Sequence, residues 1–232
     1  SNARAGVDMW TRRRIAVLWP NLVCYLRLLL MLAAFSQASV GDPLVVAAFY
    51  SANVLLDGFD GYLARKWDQA SEFGSMMDVL VDNIGRGMMW SLALPAPWSV
   101  APFFLEMLVF LCTHKEGGAA WKSGCFVGAP PLVAAIMRNG FRTPLGALTV
   151  AGLHFSPVWL WLCQRLSPGA LLAVPVAAAL LVGRFLGLCA ELWIVGRYFG
   201  QVLDRDAARR RTPSDSEGNR LESTTNSAKK QT

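Results

Sequence analysis

Apolar residues run in long blocks separated by short polar connections. Six blocks are long enough to cross a bilayer as helices, at roughly 15–37, 43–65, 74–95, 97–114, 143–165 and 169–199. The pattern predicts an all-α membrane protein whose residues 15–200 form one six-helix domain. Residues 201–232 are rich in Ser, Thr, Arg and Lys and read as a disordered basic tail. Residues 4–14 precede the first block as a basic segment. Arg12, Arg13 and Arg14 there stand beside Trp10, Ile15, Val17 and Trp19. The stretch is either a helix lying in the membrane interface or a flank that orients the first span.

Composition supports the same class. The 232 residues are 54% hydrophobic and only 16% charged, less charge than a soluble domain carries. The net charge of +6 is not spread as in a nucleic-acid binder. Arg12, Arg13 and Arg14 precede the first block, Arg65 and Lys66 close the second, and Lys115, Lys122, Arg138 and Arg142 lie between the fourth and fifth. Arg209, Arg210 and Arg211 follow the last. With six crossings all these segments share one side, which the positive-inside rule makes cytosolic, together with both termini. The chain ends Lys229-Lys230-Gln231-Thr232, which is either a retrieval signal of endoplasmic-reticulum membrane proteins or a chance pair of lysines. The five cysteines have no metal-site spacing and read as packed thiols.

The charges inside the blocks carry the chemistry. Asp57, Asp60, Gly61, Ala64 and Arg65 are spaced i, i+3, i+4, i+7, i+8 and share one helix face. Asp78 and Asp82 share a face of the next block, with Gly74 one turn earlier. A carboxylate at the centre of a bilayer helix costs about 2.5–3.5 kcal/mol, so four cost on the order of 10 kcal/mol without a counter-charge. Hard oxygen ligands of this kind suit Mg²⁺ or Mn²⁺, held by a few carboxylates and by substrate phosphates. Arg65 can support phosphoryl charge, and a carboxylate left over from metal binding can take the proton of an attacking hydroxyl. Small Gly61, Ala64 and Gly74 leave room for close helices or for a ligand against bare backbone.

The pattern DxxDGxxAR-x8-GxxxDxxxD, running from Asp57 to Asp82, resembles the signature of the CDP-alcohol phosphotransferases at every position. Within that family the chain is most similar to the eukaryotic phosphatidylinositol synthases, through Pro20-Asn21 and Arg27 in the first block and through residues 55–61 and 69–78. The resemblance implies a six-helix membrane fold, usually homodimeric, that moves a phosphatidyl group from CDP-diacylglycerol to an alcohol and releases CMP. It implies that Asp57, Asp60 and Asp78 hold divalent ions, and that Asp82 joins them and acts as base. Asn21, Arg27, Gly61, Ala64, Arg65 and Gly74 would shape the CDP-lipid site. Arg27 at mid-span calls for an anionic partner in any case, either the donor or one of the aspartates. A polyol, first of all myo-inositol, would be the acceptor, at a site in the endoplasmic reticulum facing the cytosol.

Beyond residue 95 the chain departs from that pattern. Asn83 stands where the synthases have Arg, with Arg86 one turn later. Phe110 takes an acidic position ahead of Thr113-His114, and Pro130-Pro131-Leu132 lacks the Arg that follows in the family. His114, Arg138 and Arg142 are the acceptor-site candidates. His114 reads equally as an interfacial residue, and the two arginines also serve the positive-inside bias. The alternative function is a CDP-lipid-binding membrane protein with a divergent acceptor site and little or no transferase activity. His154 reads as a helix–helix contact, and Arg184 and Glu191 as a pair within the last block.

Overall fold

A computed structural model describes residues 11–117, 125–166 and 174–211. Among these the secondary structure is helical throughout. After a short helix over 11–16 come α1 (Trp19–Gln37), α2 (Pro43–Lys66), α3 (Glu72–Ala93), α4 (Val100–Gly117), α5 (Pro131–Met137), α6 (Pro144–Arg165) and α7 (Val174–Arg211). The chain divides into two compact units, residues 1–194 and 195–232.

The helix starts follow from local chemistry. Asp42, Ser71 and Thr143 each precede a helix and accept a hydrogen bond from a first-turn amide, of Leu44, Gly74 and Gly146. Proline in the first turn of α1, α2 and α6 fixes φ where no amide donor is needed. Asp68, at φ 53°, turns the chain between α2 and α3, a conformation that short polar side chains tolerate. That turn is tied to α1, because Trp19 N–H donates to Gln69 Oε1 at 3.1 Å and the Trp19 and Trp67 rings meet edge to face.

Each of the six apolar blocks contains a helix. Four of the helices, α1, α2, α6 and α7, are long and apolar enough to cross a membrane. The helices of the other two blocks are more charged, with Asp78, Asp82 and Arg86 in α3, and Glu106, Lys115 and Glu116 in α4. The tail expected from 201 onward is not what residues 201–211 form. They continue α7 to Arg211, with alanines and arginines that favour helix. Residues 212–232, including the dilysine, and residues 4–10 of the N-terminal segment lie outside the described residues, as does Lys122.

Packing is inverted relative to a water-soluble bundle. Met31, Ala34, Val46, Tyr50, Met89, Trp90, Val158 and Trp161 of α1, α2, α3 and α6 make an apolar core. Beside it are buried Asn21, Arg27, Asn53, Asp60, Asn83, Arg86, Glu106 and His154, while Leu29, Leu55, Phe104 and Phe185 lie on the outside. Polar groups inside and apolar side chains outside is the arrangement that a lipid surrounding rewards. Gln164 Nε2 donates to Ala93 O at 2.8 Å, satisfying a carbonyl at the end of α3. At the crossing of α6 and α7, Gly152 and Gly183 let the backbones touch. A Cβ on Gly183 would lie 2.1 Å from Leu148 O, so no larger residue fits.

Candidate active site

The i, i+3 spacing of Asp57 and Asp60 on α2 and the i, i+4 spacing of Asp78 and Asp82 on α3 turn all four carboxylates toward α1. What they meet there is Arg27, which is fully buried. Its Nη1 lies 3.0 Å from Asp57 Oδ1, 2.8 Å from Asp60 Oδ2 and 2.6 Å from Asp78 Oδ1, and its Nη2 donates to Asp82 Oδ1. Nε reaches Asn53 Oδ1 at 3.4 Å. Arg27 is thus paired with all four aspartates.

Ligand oxygens of Asp57, Asp78 and Asp82 lie within 4.8 Å of one another, and Asp60 and Asp78 form a second such group with the Cys24 thiol. The four aspartates outnumber the one guanidinium between them, so negative charge is left over. Hard oxygens, close grouping and surplus charge fit a divalent cation. Access is graded across the group: the side chains of Asp57 and Asp78 are 35% and 37% exposed, against 5% for Asp60. An ion therefore has its way in past Asp57 and Asp78.

A cleft of about 460 Å³ opens onto this cluster through Asp60 and Asp78. Its walls contain Asn21, Gly61, Ala64, Arg65 and Gly74, five of the six residues expected at a CDP-lipid site. Gly74 is there for steric reasons. A Cβ at this position would lie 2.5 Å from Asn21 Oδ1, and the Asn21 amide is itself held by donating to Ile15 O at 2.6 Å. The wall is thus built by α1 pressing on the first turn of α3.

The acceptor candidates are placed differently. His114 lies in the last turn of α4, half-buried, with its ring 5.5 Å from that of Phe110. Arg138 and Arg142 are exposed around the turn that follows α5. Among the described residues, no hydrogen bond or ion pair joins any of the three to the carboxylates. Asp82 instead has Arg86 Nη1 at 3.4 Å and His154 Nε2 at 3.9 Å from its Oδ2. Arg86 Nε donates to Glu106 Oε2 at 2.7 Å, its Nη2 to Asn83 Oδ1 at 2.6 Å, and its Nη1 contacts His154 Nε2 at 3.1 Å. The expected pair of Arg184 with Glu191 is present at 2.9 Å.

Sequence reasoning singled out Arg86 and His154 without joining them, and passed over Glu106. The available signal was that Glu106 is an acid inside an apolar block, a costly placement that calls for a partner.

Comparison with known proteins bears on residues 17–126, which match the profile of the family described as CDP-alcohol phosphatidyltransferase. The human CDP-diacylglycerol–inositol 3-phosphatidyltransferase is 33% identical over 96 residues, 41% of this chain and 45% of that protein. The Candida albicans protein of the same description is 31% identical over 88 residues (36% and 38%), and that of Saccharomyces cerevisiae 35% over 96 residues (40% and 42%). The matches thus span less than half the length of these relatives. No solved structure matches the chain.

Proposed function

We propose, for a chain whose residues 17–126 belong to the CDP-alcohol phosphatidyltransferase family, the transfer of a phosphatidyl group from CDP-diacylglycerol to a polyol, with myo-inositol the first acceptor to test. One observation carries the reading: Asn21, Gly61, Ala64, Arg65 and Gly74 line the same cleft as Asp60 and Asp78. A nucleotide-lipid pyrophosphate needs cationic and small-residue contacts next to a cation site, and this cleft combines them.

In this scheme Asp57, Asp60, Asp78 and Asp82 would hold Mg²⁺ or Mn²⁺. A divalent ion held there would neutralise the charge that develops on the phosphate oxygens as CMP departs. The backbone at Gly61 and Gly74 lets the donor approach closely, and Arg65 supports its phosphates. Asp82 takes the proton of the acceptor hydroxyl. The hydroxyl oxygen bonds to the β-phosphorus, the bond from that phosphorus to the bridging oxygen breaks, and CMP leaves with the electron pair. Six membrane crossings, both termini and the site on the cytosolic side, residence in the endoplasmic reticulum and a homodimer complete the proposal. The distribution of Arg and Lys supports the orientation.

A second reading is a CDP-lipid-binding protein without transfer. It is favoured because, among the described residues, no hydrogen bond or ion pair joins His114, Arg138 or Arg142 to the carboxylates. One assay separates the two. Purified protein is given CDP-diacylglycerol, Mg²⁺ or Mn²⁺, and a panel of polyols and amino alcohols, with CMP measured and the lipid product identified by mass. Transfer predicts CMP release that Asp82→Asn abolishes. Unchanged turnover in that variant, or CDP-lipid binding without CMP from any acceptor, rejects it.

A further inference from the structure

Asp82 divides its two oxygens between two arginines. Oδ1 is taken by Arg27, while Oδ2 faces Arg86 Nη1 at 3.4 Å. Arg86 in turn is fixed on three sides by Glu106, Asn83 and His154. Those three are buried, as are Arg86 itself and Tyr50, whose hydroxyl lies 3.4 Å from His154 Nδ1. Three helices therefore converge on one guanidinium: α3 through Asn83, α4 through Glu106 and α6 through His154.

The protons in this network follow from the donor inventory. A guanidinium only donates, so His154 Nε2 must accept from Arg86, which leaves the ring proton on Nδ1, toward Tyr50. His154 then has no proton to offer Asp82, and the group that faces Oδ2 as a donor is Arg86. At 3.4 Å that contact is long for a hydrogen bond. Among the described residues Oδ2 is thus oriented by the Arg86 charge without a hydrogen bond of ordinary length, and it is the oxygen of Asp82 placed to take a proton.

Glu106 decides where Arg86 sits. Its Oε2 holds Arg86 Nε, and its Oε1 is buried and has no hydrogen-bond partner among the described residues. Among those residues the hydrogen-bond and ion-pair partner of the side chain is Arg86. Stability does not explain such a pair, since replacing a buried ion pair by apolar groups of similar volume is often neutral or stabilising. We propose that Glu106 and Arg86 are positioning residues for phosphatidyl transfer: Glu106 anchors Arg86, and Arg86 keeps Asp82 Oδ2 aimed and uncapped for the acceptor hydroxyl. The proposal rests on the reading of Asp82 as the base.

The test is steady-state CMP release by the full chain with CDP-diacylglycerol and whichever acceptor supports turnover. Glu106→Gln keeps the size of the side chain and removes its charge. The double variant Arg86→Met with Glu106→Met removes the pair without leaving a buried unpaired charge, so it keeps the fold if a single change does not. Both are expected to lower kcat about tenfold to a hundredfold, with the KM for CDP-diacylglycerol within about twofold because the cleft is untouched. The double variant is expected to lose no more than Arg86→Met alone, since the residues act as a unit. A double variant with the wild-type melting temperature and wild-type kcat overturns the positioning role, and so does a defect confined to the donor KM. Absence of CMP release from the wild-type protein overturns the transferase reading and this inference with it.

Discussion

Arg27 Nη1 lies 2.8 Å from Asp60 Oδ2, where the Arg27 side chain is fully buried and that of Asp60 nearly so. Through it α1 supplies the positive charge that α2 and α3 lack, and one guanidinium cross-links three helices. The cluster is therefore held together by a protein cation as well as being suited to a metal cation.

Replacing Arg27 by Gln leaves four carboxylates facing one another. Breaking a buried ionic group by removing one partner costs about 3–5 kcal/mol. The expected result is a lower melting temperature in detergent, partly restored by millimolar Mg²⁺, which supplies the missing charge. A melting temperature equal to wild type without metal would show that the aspartates do not need this counter-charge.

Divalent ions are expected to bind the wild-type protein directly. Mn²⁺ titration followed by electron spin resonance should show bound ion that Mg²⁺ displaces, and Asp78→Asn should weaken it. Chelation should stop CMP release and return of Mg²⁺ or Mn²⁺ should restore it. Bound Mn²⁺ that is unchanged in Asp78→Asn would place the ion elsewhere.

The wall of the cleft is tight at Gly74. Gly74→Ala forces the new methyl to within 2.5 Å of Asn21 Oδ1 unless α1 or Asn21 moves. Overpacking of this kind costs about 1–3 kcal/mol, and the strain falls on a wall of the donor cleft. A higher KM for CDP-diacylglycerol with the fold retained is the anticipated outcome, and an unaltered KM would argue that the donor binds elsewhere.

The α6–α7 crossing has no space for a side chain. Gly183→Leu sets Cβ about 2 Å from Leu148 O, which is backbone and cannot rotate away. Folded yield and melting temperature should both fall, well beyond the effect of Leu at Gly196, where a Cβ would meet nothing within 4 Å. Equal effects at the two sites would contradict the close crossing.

Much of the site was legible in the chain because helix periodicity is local. The spacings of Asp57 with Asp60 and of Asp78 with Asp82 put each pair on one face, and Gly61, Ala64, Arg65 and Gly74 fall beside them. The apolar blocks located the helices for the same reason. Their ends were less certain: the charged 201–211 stretch looks like a tail by composition, yet continues α7, because alanine and arginine favour helix whether or not an apolar face is present.

What the chain alone determined, then, is which residues share a helix face and which charges are too costly to be accidental in an apolar block. Which faces meet was decided by the tertiary structure. Arg27 reaches Asp78 across 51 residues, and Arg86 reaches His154 across 68. No local period links such positions, because the contact depends on how helices pack and on where small residues such as Gly74 and Gly152 let them approach. The burial of Arg27 among four aspartates and the anchoring of Arg86 by Glu106 belong to that level.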